Sequence, residues 1–537
     1  MVLFSTFLTA LVVTMVLIPP LMRLAVRLAV VDIPDERKVH AGAIPRIGGV
    51  AMVVGAIIPV LFWLPADATL AGLLMALTIL LVFGAWDDSR DLDYRLKFLG
   101  QFAAVLVVVL VSDVKFSVFP FMGLDPVSDF LSIPVTVLFL VGTTNAVNLS
   151  DGLDGLAAGV SLLSLCSIAL LAYFGNGDDI VLICFAVAGA VFGFLRYNTF
   201  PAKVFMGDTG SQFLGFVIGV LTIILTQKSN TALNPVIPLF LVGLPIIDMV
   251  FVMGKRLSEG RSPFAPDKSH IHHRILALGM KHYEAVGIIY VTQITYVVLG
   301  ILLRFESDLL AFSAYIGVSA ILLGVLLVAR EREWNVKRSR VTYYMSRLNS
   351  SAVVQKYTLA VIQWVVVLYL VVGSAVVASV PVDLRVSALV LLIVLVTRLA
   401  GGNSLRFIPL RLLVFPTIAF AVYLMHNDAR ALYMMQLDFR AGLLLGLLIL
   451  IFFAIRYAKD SVFQTTPTDL LVIALVSGVG VLYEQKIMDA ELIPMAVGMV
   501  VLFYAAELVM RQMRSCWNVF TFGIVIVLVL LSSKMLG

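Results

Sequence analysis

Stretches of roughly 17 to 25 apolar residues recur along the whole chain, separated by short polar segments. A helix rises about 1.5 Å per residue, so each stretch is long enough to cross about 30 Å of hydrocarbon. Within lipid every backbone N–H and C=O must find its partner inside the spanning segment, and a helix satisfies that requirement. The pattern predicts an all-α polytopic membrane protein, with about eleven transmembrane helices before Arg330 and about seven after Tyr357. Between them lies one long polar stretch, "REREWNVKRSRVTYYMSRLNSSAVVQK", which divides the chain into a core over residues 1–330, a basic linker over 331–357 and a further membrane region over 358–537. The linker reads either as a connector or as an amphipathic segment lying on anionic lipid at the inner face.

Composition excludes a soluble domain, because 61% of residues are hydrophobic and only 13% are charged. The net charge of +5 is better read loop by loop. The first apolar run has no basic residue before it, while Arg23 and Arg27 follow it, the reverse of a cleaved signal peptide. It is therefore expected to stay as a first helix with its N-terminus outside. Arg37, Lys38 and Arg46 mark the next inner loop, Arg90, Arg95 and Lys97 another, and Lys255, Arg256, Arg261, Lys268 and Arg274 a third; the loops between, such as "GNGDD", lack Lys and Arg. The positive-inside rule then puts every polar motif on the cytoplasmic face. Cys166, Cys184 and Cys516 have no pair spacing and imply neither zinc nor a disulfide.

Four inner segments carry candidate chemistry. "WDDSRD" sets Asp87 beside Asp88, with Asp91 one turn on. Two carboxylates about 4 Å apart repel by about 4 kcal/mol at an effective dielectric near 20, so a cation is expected close by. Mg²⁺, with Mn²⁺ as the alternative, suits such oxygens and bridges them to substrate phosphates. "NAVNLSDGLDGLAAG" spaces Asn145, Asn148, Asp151 and Asp154 three apart, so they approach one side of the chain while it stays helical, and its glycines let main chain come close to a ligand. In "FMGDTGS", Asp208 suits either a metal or the cap of the helix that follows.

The fourth segment, "GRSPFAPDKSHIHHR", gathers Arg261, Asp267, Lys268, His270, His272, His273 and Arg274. Imidazoles and guanidiniums donate hydrogen bonds to phosphate oxygens, which explains this set better than zinc, whose ligands are usually more separated and often include Cys. An acidic metal locus and a basic anion locus on one face make a phosphoryl-transfer constellation. No "GxxxxGK" occurs, so ATP hydrolysis is not indicated, and nothing points to nucleic acid.

In order, "RKVHAGAIPRIGG", "WDDSRDL", "NAVNLSDGLDGLAAG", "FMGDTGS" and "GRSPFAPDKSHIHHR" resemble the polyprenyl-phosphate N-acetylhexosamine-1-phosphate transferases, over roughly residues 1 to 330. The resemblance implies attack by undecaprenyl phosphate on the β-phosphate of a UDP-N-acetylhexosamine, with Mg²⁺, releasing UMP in the bacterial inner membrane. By the same resemblance Asp87, Asp88 and Asp208 look like catalytic and metal residues, and His272 like a catalytic one. Asp91, Asn145, Asn148, Asp151, Asp154, Arg261, Asp267, His270, His273 and Arg274 look like substrate contacts, and Lys38 and His40 like seats for the nucleotide. The "HIHHR" loop is similar to the branch that uses UDP-GlcNAc, whereas the phospho-MurNAc-pentapeptide branch carries three consecutive histidines. That branch is the alternative within the class, and a lipid-linked sugar transporter the alternative outside it. A homodimer is compatible with the reading, and residues 358–537 carry no recognised motif.

Overall fold

A computed structural model describes residues 2–32, 42–123, 125–263, 269–332, 334, 352–400, 410–428, 430–431, 437–456, 492–512 and 517–534. Among them are eighteen α-helices and one two-stranded ribbon. The expected all-α membrane fold is what the chain adopts. Twelve helices precede residue 332: α1 (Val2–Arg27), α2 (Gly48–Trp63), α3 (Ala68–Arg90), α4 (Tyr94–Ser112), α5 (Asp129–Leu149), α6 (Leu156–Phe174), α7 (Asp178–Asn198), α8 (Gly207–Ile224), α9 (Ile237–Ser258), the short α10 (Ile271–Ala277), α11 (His282–Leu302) and α12 (Asp308–Glu331). All but α2 and α10 of these are long and apolar enough to cross a membrane, as is Tyr357–Val376 further on.

Two compact units are present. The first holds the described residues up to 334, the second those from 352 onward. In the second, six helices are described: α13 (Ala352–Val376), α14 (Val382–Ala400), α15 (Arg411–Asn427), α16 (Leu437–Arg456), α17 (Leu492–Gln512) and α18 (Trp517–Ser533). Their ends are tied by polar side chains: Lys534 Nζ donates to the carbonyls of Ala375 and Val377 at 2.7 and 2.6 Å, and the Asp428 carboxylate accepts from Ala378 N at 2.8 Å.

The first unit is built around α8, whose residues from Thr209 to Ile223 are all buried. Lipid gives no hydrophobic drive for one helix to pack on another, so close packing rests on small residues. A Cβ on Gly49 of α2 would lie 2.2 Å from Gly210 N of α8, so α2 approaches α8 only because both positions are glycine. α3 and α5 flank the same helix. Just before α8, the main chain of 203–206 pairs with the strap from the ribbon of β1 (Val31–Asp32) and β2 (Ile44–Pro45): Phe205 N donates to Pro45 O and Gly48 N to Phe205 O, both at 2.9 Å. The polar loops at this end are thereby gathered around the start of α8.

α9 is broken at Gly243, which has φ of 31°, two residues before Pro245. Side chains of neighbouring helices take up the freed backbone groups. Gln293 Oε1 accepts from Leu244 N at 3.0 Å, and the Tyr315 hydroxyl donates to Gly243 O at 3.3 Å. Beyond the break α9 carries Asp248, which holds the loop leading into α10.

Candidate active site

A cavity of about 1320 Å³ opens at the end of the first unit where α3 and α5 finish and α6 and α8 begin. Its walls include Asp88, Asn148, Asp151, Asp154 and Asp208, together with Arg23, Arg27, Arg46, Lys203, His273 and His282. Three of the four expected segments thus meet in one place, and the fourth contributes His273.

Spacing left Asp208 open between a metal and the cap of the helix that follows; in the structure the cap is Asp88. Asp88, buried at the end of α3, accepts from Asp208 N at 2.7 Å, from Thr209 N at 3.1 Å and from the Thr209 hydroxyl at 2.7 Å. It therefore caps the start of α8 across the helix interface, satisfying donors that a helix N-terminus leaves orphaned. Gly207, with φ of 68°, makes the turn in front of it, and a Cβ there would meet Asp88 Oδ1 at 2.3 Å. Asp208, freed from capping, turns its carboxylate into the cavity. Its Oδ1 accepts from Asn148 Nδ2 at 3.0 Å, and its Oδ2 lies 2.9 Å from Lys97 Nζ.

Lys97 was legible only as a basic loop residue, yet it joins the acids of two loops. Its ammonium is 2.6 Å from Asp87 Oδ2 as well as 2.9 Å from Asp208 Oδ2. Asp87, with 3% of its side chain exposed, also accepts from Leu92 N at 2.7 Å and does not line the cavity. The repulsion expected between Asp87 and Asp88 is relieved separately for each, by Lys97 for the first and by the α8 terminus for the second.

The acidic loop between α5 and α6 is held from two sides. Asn198 accepts from Gly155 N and donates to Val204 O, both at 2.9 Å, while the Tyr290 hydroxyl donates to Gly155 O at 2.7 Å. Asp154 accepts from Ala202 N at 2.9 Å, and its own N–H donates to His282 Nε2 at 3.1 Å. With its loop pinned, Asp151 faces three carboxylates. Burial first, and then Asp208, Asp154 and Asp88, push its pKa up to about 8. Asn198, His282 and Tyr290 lie far along the sequence and had no local signal.

Other expected contacts fall elsewhere. Asn145 pairs with Gln101 of α4, donating to its Oε1 at 2.6 Å, because an amide facing another helix in lipid needs a partner; it is absent from the cavity wall. Asp91 ends α3 with φ of 44° and has a 90% exposed side chain, 3.2 Å from Arg46. Arg261 pairs with Glu259 on the surface, Nε to Oε2 at 2.9 Å. Arg274 stacks on Phe251, 4.5 Å from the ring centre, and donates to Ser269 O at 2.6 Å. His270 is buried with Nδ1 3.0 Å from Asp248 Oδ2. His272 packs on Gly152, where a Cβ would lie 2.2 Å from its Nε2, and it too is absent from the cavity wall. Burial, then His273 and His270, hold its pKa down to about 3. Lys38, His40 and Asp267 lie outside the described residues.

The acids offer only hard oxygen donors, which is the chemistry Mg²⁺ takes. Among the described residues no three His, Cys, Asp or Glu side chains form a ready-made cage. Asp208 and Asp151 line the same cavity, with Asn148 bonded to Asp208, and are the carboxylates that would hold such an ion together with substrate phosphate and water.

Residues 70–226 match the profile of glycosyl transferase family 4. The chain is 36% identical over 324 residues to a probable undecaprenyl-phosphate N-acetylglucosaminyl 1-phosphate transferase of Bacillus subtilis, covering 60% of this chain and 88% of that protein. It is 30% identical over 332 residues to the undecaprenyl-phosphate alpha-N-acetylglucosaminyl 1-phosphate transferase of Escherichia coli O157:H7, covering 59% and 88%. It is 33% identical over 361 residues to the decaprenyl-phosphate N-acetylglucosaminephosphotransferase of Mycobacterium tuberculosis, covering 60% and 86%. With the acids of its separate loops meeting at the start of α8 and relatives that it spans almost end to end, the chain belongs to the polyprenyl-phosphate N-acetylhexosamine-1-phosphate transferase family.

Proposed function

We propose that the protein transfers N-acetylhexosamine 1-phosphate, most simply GlcNAc 1-phosphate, from a UDP-sugar to undecaprenyl phosphate, releasing UMP and starting a cell-surface glycan. The observation that carries this is one cavity, at the end of a membrane helix bundle, lined by five carboxylates, Asp32 of the ribbon and Asp88, Asp151, Asp154 and Asp208 of three loops, together with three arginines and a lysine. The names of the relatives support GlcNAc as the sugar.

One phosphoanhydride is broken and one is formed, so the barrier is chiefly that of bringing a phosphate anion onto a diphosphate. Mg²⁺ held at Asp208 and Asp151 would offset that charge. Asn148 and Lys97 fix the Asp208 carboxylate from its two oxygens, so it meets the substrate without reorganising. Asp88 and Gly207 set where α8 begins and hence where Asp208 stands. We favour direct attack by the lipid phosphate. Purified protein should release UMP from UDP-GlcNAc only when undecaprenyl phosphate and Mg²⁺ are both added; release without the lipid would count against the reaction.

Asp151 gives this reading a pH dependence. A carboxyl whose pKa is raised to about 8 holds its proton at neutral pH and must lose it to bind a cation. Mg²⁺ affinity should therefore strengthen as pH rises from about 6 to 8 and level off above, and Asp151→Asn should flatten the trend. The check is the Mg²⁺ concentration for half-maximal UMP release across that range; equal slopes in both proteins would remove Asp151 from the metal.

The same reading requires the cavity to face the cytoplasm, where UDP-sugars are. α6 starts at the cavity and, at 1.5 Å per residue, carries the chain about 28 Å to the turn over 175–177, after which α7 begins at Asp178. With the native cysteines replaced, Asp178→Cys should react with an impermeant thiol reagent added to intact cells, and Ser258→Cys should not. The opposite labelling would place the cavity on the wrong side.

A further inference from the structure

Arg23 and Arg27 follow the first apolar run and explain its orientation, but orientation does not require them to line the active-site cavity. They do so, along with Met22 and Val26 from the same turns of α1 and Lys203 from the segment that precedes α8. Residues four apart lie on one face of a helix, where like charges repel. Among the described residues neither arginine, nor Lys203, makes a side-chain hydrogen bond or ion pair. Arg46, the remaining arginine on this wall, is by contrast bound to Asp32 and Asp91. Three exposed cations gathered on one wall of the cavity, none bonded to its carboxylates among the described residues, are placed to receive an anion from outside the chain.

Their setting indicates which. Met22 and Val26 interleave with the arginines, and Val26 is 63% exposed on a helix that crosses the membrane. The wall therefore offers apolar contact and positive charge on adjacent turns, which suits an amphiphile whose anionic head lies at the membrane surface. A soluble nucleotide diphosphate would use the charges but not the apolar side chains.

We propose that Arg23, Arg27 and Lys203 form the seat for the phosphate monoester of the lipid acceptor, with the first part of its chain lying along Met22 and Val26 of α1. This assignment rests on the reaction given above. A phosphate monoester carries up to two negative charges, and guanidinium groups bind it through charge-assisted hydrogen bonds.

The test uses the full-length protein with Arg23→Ala/Arg27→Ala and, separately, Lys203→Ala. Initial rates are measured with undecaprenyl phosphate and UDP-GlcNAc varied in turn, beside equilibrium binding of radiolabelled undecaprenyl phosphate in detergent without UDP-sugar. The double variant should raise the KM for the lipid at least about tenfold, weaken its binding in parallel and leave the KM for UDP-GlcNAc within about twofold. Lys203→Ala should act in the same direction, and Arg23→Lys/Arg27→Lys should recover much of the loss. Arg90→Ala, which removes an exposed arginine outside the cavity, should leave the lipid KM in place. An unchanged lipid KM and binding, or a shift confined to UDP-GlcNAc, overturns the proposal. If the wild-type protein turns over no UDP-sugar, the reaction reading fails, and the binding measurement alone decides the seat. If the alanine variants do not elute as folded protein, the lysine pair and Arg27→Gln carry the same comparison.

Discussion

Asp208→Asn is expected to lower UMP release by on the order of 10²- to 10³-fold or more while leaving the protein folded in the membrane. The asparagine keeps the shape and still accepts from Asn148, whose amide lies 3.0 Å from Asp208 Oδ1. It removes the charge that faces the cavity. Its loss from the first turn of α8 costs only about 0.3–1 kcal/mol of helix-dipole stabilisation. Asp88→Asn should behave differently. Asp88 accepts three hydrogen bonds at the start of α8, one of them the 2.7 Å bond from the Thr209 hydroxyl, and an amide reproduces that set only in part. Its activity should fall together with its thermal stability. Measuring both quantities for both variants separates a group that meets substrate from one that positions it; near-normal turnover of Asp208→Asn at limiting Mg²⁺ would remove Asp208 from the chemistry.

Lys97→Met should be as damaging, through the fold as well as the site. It leaves Asp87, 3% exposed, without the ammonium now 2.6 Å away. Removing one partner of a buried ion pair typically costs about 3–5 kcal/mol, because the charge left behind has neither water nor counter-ion. Adding Asp87→Asn to Lys97→Met should restore much of the stability, since position 87 then carries no unpaired charge, but not the activity, since Asp208 has still lost its 2.9 Å partner. Thermal unfolding in detergent and UMP release on the two variants test this. Equal stability of Lys97→Met and wild type would show that Asp87 is not held by the pair.

Much of the fold was legible because lipid imposes a simple rule: apolar runs of spanning length become helices. The acidic motifs were legible for a related reason, since carboxylates at helix ends in an apolar chain are costly without a purpose. What sequence spacing did not reveal is how each acid is used. Asp88 and Asp208 stand 120 positions apart, and only the packing of α3 on α8, permitted at Gly84 and Gly207, decides that the first caps and the second faces the cavity. Asn145, in the same motif as Asn148, is turned toward Gln101 of α4. Lys97, Asn198, His282 and Tyr290 belong to ordinary helical stretches whose relevance appears only when distant loops are brought to them. In the basic loop, residue type did not reveal the surroundings of each group: burial holds the His272 pKa down, Arg261 pairs with Glu259 and Arg274 stacks on Phe251.

The central claim is that the β-phosphate moves with the sugar, and a label on that phosphorus tests it most directly. UDP-GlcNAc carrying ³²P at the β position, incubated with the purified protein, undecaprenyl phosphate and Mg²⁺, should yield labelled lipid and unlabelled UMP. The label should stay on the lipid until mild acid cleaves the diphosphate. Label retained in UDP, with an unlabelled lipid monophosphate sugar as product, would mean that the sugar leaves its phosphate behind and would contradict the account.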